Sequence, residues 1–232
     1  MRLVAWTGAN MWKMSLLTAM TVDSLFRPIV ERSAFAGKIA RFLARLGVTP
    51  NFLSVLSLIF AAISGILFAV SSGECGNFNI FLFFAGVFVA ANAVFDTLDG
   101  VLARETGNAT RKGDFLEHVL DRYADVFILL GIIFGGYARW DVGAVAIVGV
   151  LLSSYIGVQA QAVGLKRVYG GVLGRADRLL LILAATFLNA FHTKPVIANL
   201  SFLGLAILII AFLSHLTTIQ RFFYVWQKLR ND

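Results

Sequence analysis

Acidic side chains interrupt two of the most apolar stretches of the sequence. Asp96 and Asp99 are three residues apart and would share one face of a helix, while Glu117, Asp121 and Asp125 follow one another at intervals of four. A charged group in an apolar span is costly unless it is paired or binds a cation. Because two acidic faces would repel each other, we expect a divalent cation to be bound between them by oxygen ligands.

The composition indicates which kind of protein carries these acids. The chain of 232 residues is 59% hydrophobic and 14% charged, whereas soluble domains average about 45–50% apolar and about 25% charged residues. We therefore expect an integral membrane protein with an all-α fold. The single cysteine, Cys75, excludes an internal disulfide and a cysteine-rich metal site.

Hydrophobic runs predict six transmembrane helices that form one domain over residues 48–232. Each run is long enough, or nearly so, to cross about 30 Å of hydrocarbon. The spans are expected near residues 52–71, 79–103, 115–137, 142–164, 179–193 and 199–221. An amphipathic helix over residues 23–47 is expected to lie on the membrane surface before them, with its basic side chains toward the lipid headgroups. Residues 1–22 show no clear pattern.

The distribution of positive charge predicts the orientation of these spans. With this topology, all lysines and arginines except Arg139 and Lys194 lie on one side of the membrane. Such an asymmetry places both termini and the acidic residues in the cytoplasm. The net charge of +7 is explained by this topology, so we expect membrane lipids and no nucleic acid among the partners.

The depth of the acids helps to separate an enzyme from a transporter. They fall in the last turns of the second span and the first turns of the third, about 5–10 Å below the cytoplasmic surface at 1.5 Å per residue. An ion-coupled transporter would more naturally place carboxylates at the membrane midplane. The shallow position therefore favours a site for the headgroup of a lipid-linked substrate.

Two further patterns have alternative interpretations. The basic segment Lys166–Arg178 could bind phosphate, for which arginine offers a bidentate fork, or it could only obey the positive-inside rule. We expect a phosphate role for Arg175 and Arg178. Gly131 and Gly135 have a spacing that permits close helix contact, and such a contact could form the seam of a homodimer.

The acidic region resembles the CDP-alcohol phosphotransferase family, whose signature is D-x2-D-G-x2-A-R-x8-G-x3-D-x3-D. The residues at the family spacing are Asp96, Asp99, Gly100, Ala103, Arg104, Gly113 and Asp121. Glu117 stands where the family has its third aspartate, which keeps the charge and adds a methylene. The six spans, the surface helix and the Thr49-Pro50-Asn51 start of the first span are also similar to the family.

The resemblance implies that an acceptor hydroxyl displaces CMP from a CDP-linked alcohol, which is either a lipid or inositol. It also implies two Mg2+ or Mn2+ ions and assigns Asp121 as general base. The implied metal ligands are Asp96, Asp99, Glu117 and Asp121. The implied CDP-binding residues are Asp99, Gly100, Ala103, Arg104 and Gly113, with Asn51. The expected acceptor is a phosphorylated polyol such as inositol phosphate, whose phosphate would contact Arg175, Arg178 and Lys166.

Several alternatives stay open at this point. Enzymes of the inositol-phosphate branch often carry S-Y-x-R-A-R in the fourth span, but the matching residues 154–159 contain no arginine. Glycerol phosphate or serine could therefore be the acceptor, and a CDP-inositol donor would give a di-inositol phosphate. Outside catalysis, the acids could serve a small ion-coupled transporter, or could simply pair with Arg104, Arg111 and Arg122. The acids outnumber these three cations, so simple pairing would leave negative charge unbalanced.

Overall fold

The computed structural model describes residues 34–71, 78–107 and 109–230, and within these ranges the chain forms helices and no β-strand. Residues 1–22 and the first part of the predicted surface helix lie outside the described residues. We number the helices α1 to α7 in chain order. They are α1 Ala34–Arg45, α2 Pro50–Val70, α3 Ile80–Glu105, α4 Arg111–Phe134, α5 Trp140–Ala162, α6 Arg175–Phe191 and α7 Phe202–Arg230.

Local signals in the sequence set the start of the membrane domain. Gly47 adopts a φ of 76°, which favours glycine, and follows the end of α1. Thr49 then caps α2 by accepting a hydrogen bond from the Phe52 amide at 3.3 Å, and Pro50 occupies the first turn. The predicted break and cap between these two helices are confirmed.

Helices α2 to α7 correspond to the six predicted spans, but three of their ends differ from the expectation by four residues or more. Helix α4 begins at Arg111 and α6 at Arg175, each four residues before the predicted start, and α7 continues nine residues beyond the predicted end. The prediction followed the apolar runs, whereas the helical hydrogen bonds continue through the charged residues that flank those runs. As a result, Gly113 and Arg175 lie in first turns of helices rather than in loops.

Four of the helices are long and apolar enough to cross a membrane, namely α2, α3, α5 and α7. This supports an integral membrane protein. Helix α4 is 24 residues long but includes seven Asp, Glu, Lys and Arg residues, and α6 has only 17 residues. The count of six spans therefore stays a prediction.

Helix α1 packs against the end of α3. Ala36 and Ala40 are buried in a small apolar cluster with Val101 and Leu102, while Phe35 and Phe42 on the opposite side are 73% and 60% exposed. Two exposed aromatic side chains on the outer side of a docked helix suit contact with lipid. The placement of α1 on the membrane surface is not tested by these contacts and stays a prediction.

The six longer helices share one apolar core, and α2 and α4 approach most closely at glycines. A Cβ atom added to Gly131 would collide with the backbone of Gly65, and one added to Gly135 would collide with the Phe68 carbonyl. The predicted close contact therefore forms inside one chain, between α4 and α2. It gives no information on a homodimer, which stays a prediction.

Candidate active site

The signature residues lie at one end of the helix bundle, which we call the motif end. It comprises the start of α2, the last turns of α3, the first turns of α4 and α6, and the last turns of α5 and α7. A cavity of about 650 Å³ opens there. Its charged lining residues are Asp96, Arg104, Asp114, Glu117, His118, Asp121, Arg122, Arg167, Arg175, Arg178 and Arg221. Three of the four predicted metal ligands thus face one space.

Arg175 joins the acids of α3 and α4. Its Nη1 atom lies 2.5 Å from Asp96 Oδ2 and 2.9 Å from Asp121 Oδ1, and its Nε atom lies 3.6 Å from Asp125 Oδ1. One guanidinium from the start of α6 therefore balances carboxylates of two other helices. This contact confirms that the two acidic faces meet, as their spacing predicted.

A second arginine of α6 contacts the acid one turn beyond the signature. Arg178 and Asp125 are both buried, and Arg178 Nη2 donates to Asp125 Oδ2 at 3.2 Å. Arg122 Nη2 lies 3.2 Å from Asp121 Oδ2, and Arg122 Nη1 donates to the Ser154 hydroxyl on α5. Charges buried this deeply are tolerated because each has a partner of opposite charge. The acids and arginines thus form one connected network.

Asp99 lies apart from this network, behind the cavity wall. It is 2% exposed, and its Oδ2 accepts a hydrogen bond of 2.5 Å from the Ser54 hydroxyl of α2. Its Oδ1 atom is buried and has no hydrogen-bond partner among the described residues. A buried carboxylate oxygen without a donor is unfavourable unless another positive group reaches it. This oxygen is suited to a cation.

The donor set at the motif end fits a hard divalent cation. Carboxylate oxygens from two adjacent helices converge there, and Mg2+ and Mn2+ prefer such ligands. Among the described residues, however, no group of three or more His, Cys, Asp or Glu side chains is close enough to hold an ion. Arg175 contacts Asp96 and Asp121, so this guanidinium and a cation compete for the same oxygens.

The residues expected to bind CDP are only partly brought together. Gly100 and Arg104 line the cavity, whereas Ala103, Gly113 and Asn51 are not part of its wall. Gly113 and Asn51 are neighbours, since a Cβ atom on Gly113 would lie 3.3 Å from Asn51 Oδ1. Gly113 and Asn51 thus form a second small group beside the cavity, where α2 meets the start of α4.

The residues expected to bind the acceptor phosphate are also divided. Arg175 and Arg178 line the cavity but contact carboxylates, whereas Lys166 is exposed and lies outside the wall. The sequence named Arg122 only as a possible partner of the acids, and Arg167 only as part of the basic segment Lys166–Arg178. Arg122 does pair with Asp121. Arg221, in the last span, was not singled out for the site.

Comparisons with known proteins show which family the chain resembles. The model of the CDP-alcohol phosphatidyltransferase family matches residues 47–220. The chain is 31% identical to archaetidylinositol phosphate synthase of Pyrococcus horikoshii over 206 residues, which cover 89% of this chain and 97% of the relative. It is 33% identical to phosphatidylinositol phosphate synthase of Mycobacterium marinum over 213 residues, which cover 86% of this chain and 84% of the relative.

Solved structures show the same similarity. The crystal structure of Mycobacterium tuberculosis phosphatidylinositol phosphate synthase with CDP-DAG bound superposes with a TM-score of 0.69 at 27% sequence identity, covering 84% of this chain and 94% of that chain. A second crystal structure of that enzyme, in complex with manganese and citrate, gives a TM-score of 0.68, also at 27% identity, and covers 82% of this chain and 88% of that chain. The CDP-DAG, the manganese and the citrate all belong to the solved enzyme.

Proposed function

The chain belongs to the CDP-alcohol phosphatidyltransferase family, and we propose that it transfers a phosphoryl-linked lipid alcohol from its CDP derivative to inositol phosphate. In this reaction the acceptor hydroxyl oxygen bonds to the phosphorus that carries the alcohol. The bond from that phosphorus to CMP breaks, and a phosphodiester results. The named relatives make archaetidylinositol phosphate or phosphatidylinositol phosphate, which supports inositol phosphate over glycerol phosphate or serine as acceptor.

One observation carries this proposal. Asp96, Glu117 and Asp121, from two helices, line the same cavity as Arg104, Arg175 and other arginines. Carboxylates suit cations and a proton acceptor, while arginines suit phosphates. Both are needed in a reaction that brings a diphosphate and a phosphate monoester together. A cavity of about 650 Å³ falls within the usual range for small-molecule sites.

Asp96, Asp99, Glu117 and Asp121 would hold the metal, for which we propose two Mg2+ or Mn2+ ions. When bound, such ions neutralise charge that develops on the phosphoryl oxygens during displacement. The buried Asp99 Oδ1, which has no hydrogen-bond donor in the described chain, supports its role as a ligand. The side chain of Glu117 is one methylene longer than that of an aspartate, so its oxygens can reach the ion from one helical turn before Asp121.

Asp121 is the proposed general base. Its carboxylate faces the cavity and is positioned by Arg175 and Arg122. We propose that it accepts the proton of the acceptor hydroxyl as that oxygen bonds to phosphorus. Positioned proton transfer of this kind contributes roughly a hundredfold to ten-thousandfold to an enzymatic rate.

The small residues beside the motif would accept the cytidine. Gly100, Ala103 and Gly113 leave the backbones of α3 and α4 open to a flat base, with Asn51 next to Gly113. Arg104 would hold a phosphate of the donor.

Arg175 and Arg178 would bind the acceptor phosphate, together with Lys166. Arg175 Nη2 is buried and has no hydrogen-bond partner among the described residues, so one donor remains for a phosphate oxygen. The proposed orientation places this site and both termini in the cytoplasm, where a soluble sugar phosphate can reach them. We also propose six spans and a homodimer.

The test measures CMP release by the purified protein in detergent. Donors would be CDP-diacylglycerol, a CDP-archaeol-type lipid and CDP-inositol, each offered with inositol phosphate, glycerol phosphate, serine or inositol under Mg2+, Mn2+ or chelator. We expect metal-dependent release of CMP with inositol phosphate. Asp121→Asn and Asp96→Asn should lose this activity by roughly a hundredfold or more.

Asp141→Asn is the matched control, since within the described ranges Asp141 pairs only with the exposed Arg139 at the other end of the bundle and with backbone. It should release CMP at the rate of the unmodified protein. Equal rates for all three variants would contradict the assigned ligands and base. If CMP is released with serine or glycerol phosphate but not with inositol phosphate, the proposed acceptor is wrong.

A further inference from the structure

One part of the cavity wall is formed by the segment that joins α5 to α6. This segment, residues 163–174, folds back onto α5 and places Arg167, Val168 and Tyr169 in the cavity wall. It is anchored by Arg221 of α7, which donates hydrogen bonds to the carbonyls of Tyr169, Gly170 and Ser153. The segment therefore has a defined position relative to the acidic network.

The contact between this segment and α5 requires a glycine. The Val168 amide donates to the Gly157 carbonyl at 3.3 Å, and a Cβ atom at position 157 would lie 2.7 Å from the Val168 carbonyl oxygen. Any side chain at this position would push the segment away. The absence of a side chain at Gly157 thus lets residue 167 come close to the cavity.

Arg167 differs from the other arginines of the network in its partners. Its guanidinium carbon lies 4.8 Å from the centre of the Tyr169 ring, and Nη1 contacts the imidazole of His118. No carboxylate among the described residues lies within ion-pair distance of it. By contrast, Arg122, Arg175 and Arg178 each contact at least one aspartate. The positive charge of Arg167 is therefore not neutralised by an acid.

The contacts with Tyr169 and His118 hold the Arg167 guanidinium in place without neutralising its charge. The aromatic face of Tyr169 favours a cation but does not neutralise it. His118 lies between Arg167 and the Asp114 carboxylate, which is 3.3 Å from His118 Nε2. A planar guanidinium that is fixed at the edge of a cavity and is not neutralised by an acid can bind a doubly charged phosphate.

We propose that Arg167 binds the phosphate of the acceptor and that the Gly157 contact positions it to do so. This inference rests on the proposed function, since it names the group that recognises the acceptor. It also accounts for the lack of arginine in residues 154–159: the cation comes from the segment that passes over Gly157. Arg175 and Arg178, which also balance the acids, would then share this phosphate with Arg167.

The experiment compares steady-state kinetics for the acceptor and the donor separately. Arg167→Gln should raise the Michaelis constant for inositol phosphate roughly tenfold to a hundredfold, the value of one hydrogen-bonded charge. The Michaelis constant for the CDP donor should not change. Arg167→Lys should recover part of the loss, because it keeps the charge but not the fork. Arg139→Gln, which removes an exposed positive charge at the other end of the bundle, is the control for the loss of charge.

A second variant tests the positioning. Gly157→Ala should also raise the Michaelis constant for inositol phosphate, while Val158→Ala at the adjacent exposed position should not. Titration calorimetry of inositol phosphate should show the same order of affinities, independently of turnover. These measurements need only that the variants fold, which their unchanged donor Michaelis constant would establish.

The outcomes separate this inference from the proposed function. Turnover of a phosphorylated acceptor with an unaltered Michaelis constant in Arg167→Gln would overturn the role of Arg167 and leave the transferase assignment intact. A raised Michaelis constant for the CDP donor would also overturn it, since Arg167 would then bind the diphosphate. If no phosphorylated acceptor reacts with the unmodified protein, the proposed acceptor class fails, and the role of Arg167 fails with it.

Discussion

The two ends of α2, α3 and α4 are held together by different forces. At the motif end, carboxylates of α3 and α4 meet around arginines of α6, and Ser54 of α2 hydrogen-bonds to Asp99. Toward the opposite end, the backbones of α2 and α4 touch at Gly65, Gly131 and Gly135, and the surrounding side chains are apolar. The bundle thus passes from close packing at one end to a charged cavity at the other, which α3 and α4 line and α2 does not.

This difference shows how one bundle can be both rigid and reactive. Backbone contact at small residues brings membrane helices together by van der Waals packing, without polar groups. Close packing leaves no room for a substrate. At the motif end, the helices instead surround about 650 Å³ of space, and ion pairs hold the walls in position. The packed end can therefore support the geometry that the polar end needs for chemistry.

The largest effect should come from removing the cation that the acids share. Arg175→Gln would leave Asp96, Asp121 and Asp125 with less opposing charge in a buried site. Breaking a buried ion pair in this way costs about 3–5 kcal/mol. We expect a strong drop in the apparent melting temperature in detergent with chelator present, measured by intrinsic fluorescence. Addition of Mg2+ or Mn2+ should reduce the deficit, because a cation can balance the same oxygens.

The control for this prediction is Arg139→Gln. Arg139 pairs with Asp141 at 2.7 Å, but its side chain is 77% exposed, and such exposed pairs contribute little to stability because solvent screens them. Its melting temperature should match that of the unmodified protein in chelator and in metal. If both variants lose equal stability, or if metal does not narrow the gap for Arg175→Gln, the shared-cation description of the motif end is wrong.

A smaller effect is expected from the packed end. Gly131→Ala adds one methyl group where the backbone of Gly65 already stands, so α2 and α4 must separate. Overpacking of this kind costs about 1–3 kcal/mol, and a backbone neighbour that cannot rotate away favours the upper part of that range. The melting temperature should fall equally in chelator and in metal, in contrast to Arg175→Gln.

Phe134→Ala serves as the control for Gly131→Ala. Phe134 lies on the same helix, one turn away, and is 71% exposed, so its removal leaves the crossing unchanged. A melting temperature for Gly131→Ala that equals that of Phe134→Ala would show that α2 and α4 do not depend on this contact. A metal-dependent deficit for Gly131→Ala would show instead that the two ends are not independent.

The features that the sequence predicted correctly are mostly local ones. Thr49 and Pro50 start α2 because the cap and the fixed proline φ act within one turn. The meeting of the two acidic faces also followed from spacing, because Asp96 and Asp121 lie on helices joined by only a short turn. The resemblance to the family signature then implied which reaction these residues carry out.

The contacts that the sequence did not predict join residues far apart in the chain. Arg175 and Asp96 are 79 positions apart, and Arg167 and His118 are 49 positions apart. No periodicity links such residues, because the packing of α3 against α6 decides which charges meet. Positive charge near a cytoplasmic loop is also expected from topology alone, so the sequence could not separate arginines that balance acids from those that remain for phosphate.

The smallest effect tests how the motif end extends into α2. Ser54→Ala removes the hydroxyl that donates to Asp99 Oδ2 at 2.5 Å, and this hydroxyl fixes the direction of the buried carboxylate. Loss of a group that orients a metal ligand typically costs about tenfold to a hundredfold in metal affinity. We expect the Mn2+ concentration for half-maximal CMP release to rise by that factor, with little change in the rate at saturating Mn2+.

Ser57→Ala, one turn farther along α2, isolates this effect from general damage to the helix. Ser57 is buried like Ser54, but its hydroxyl donates to the Ser54 carbonyl and touches no carboxylate of the described part of the chain. The Mn2+ concentration for half-maximal CMP release by Ser57→Ala should therefore equal that of the unmodified protein. Equal Mn2+ dependence in Ser54→Ala and Ser57→Ala would remove Asp99 from the set of metal ligands, and α2 would then belong to the packed part of the bundle along its whole length.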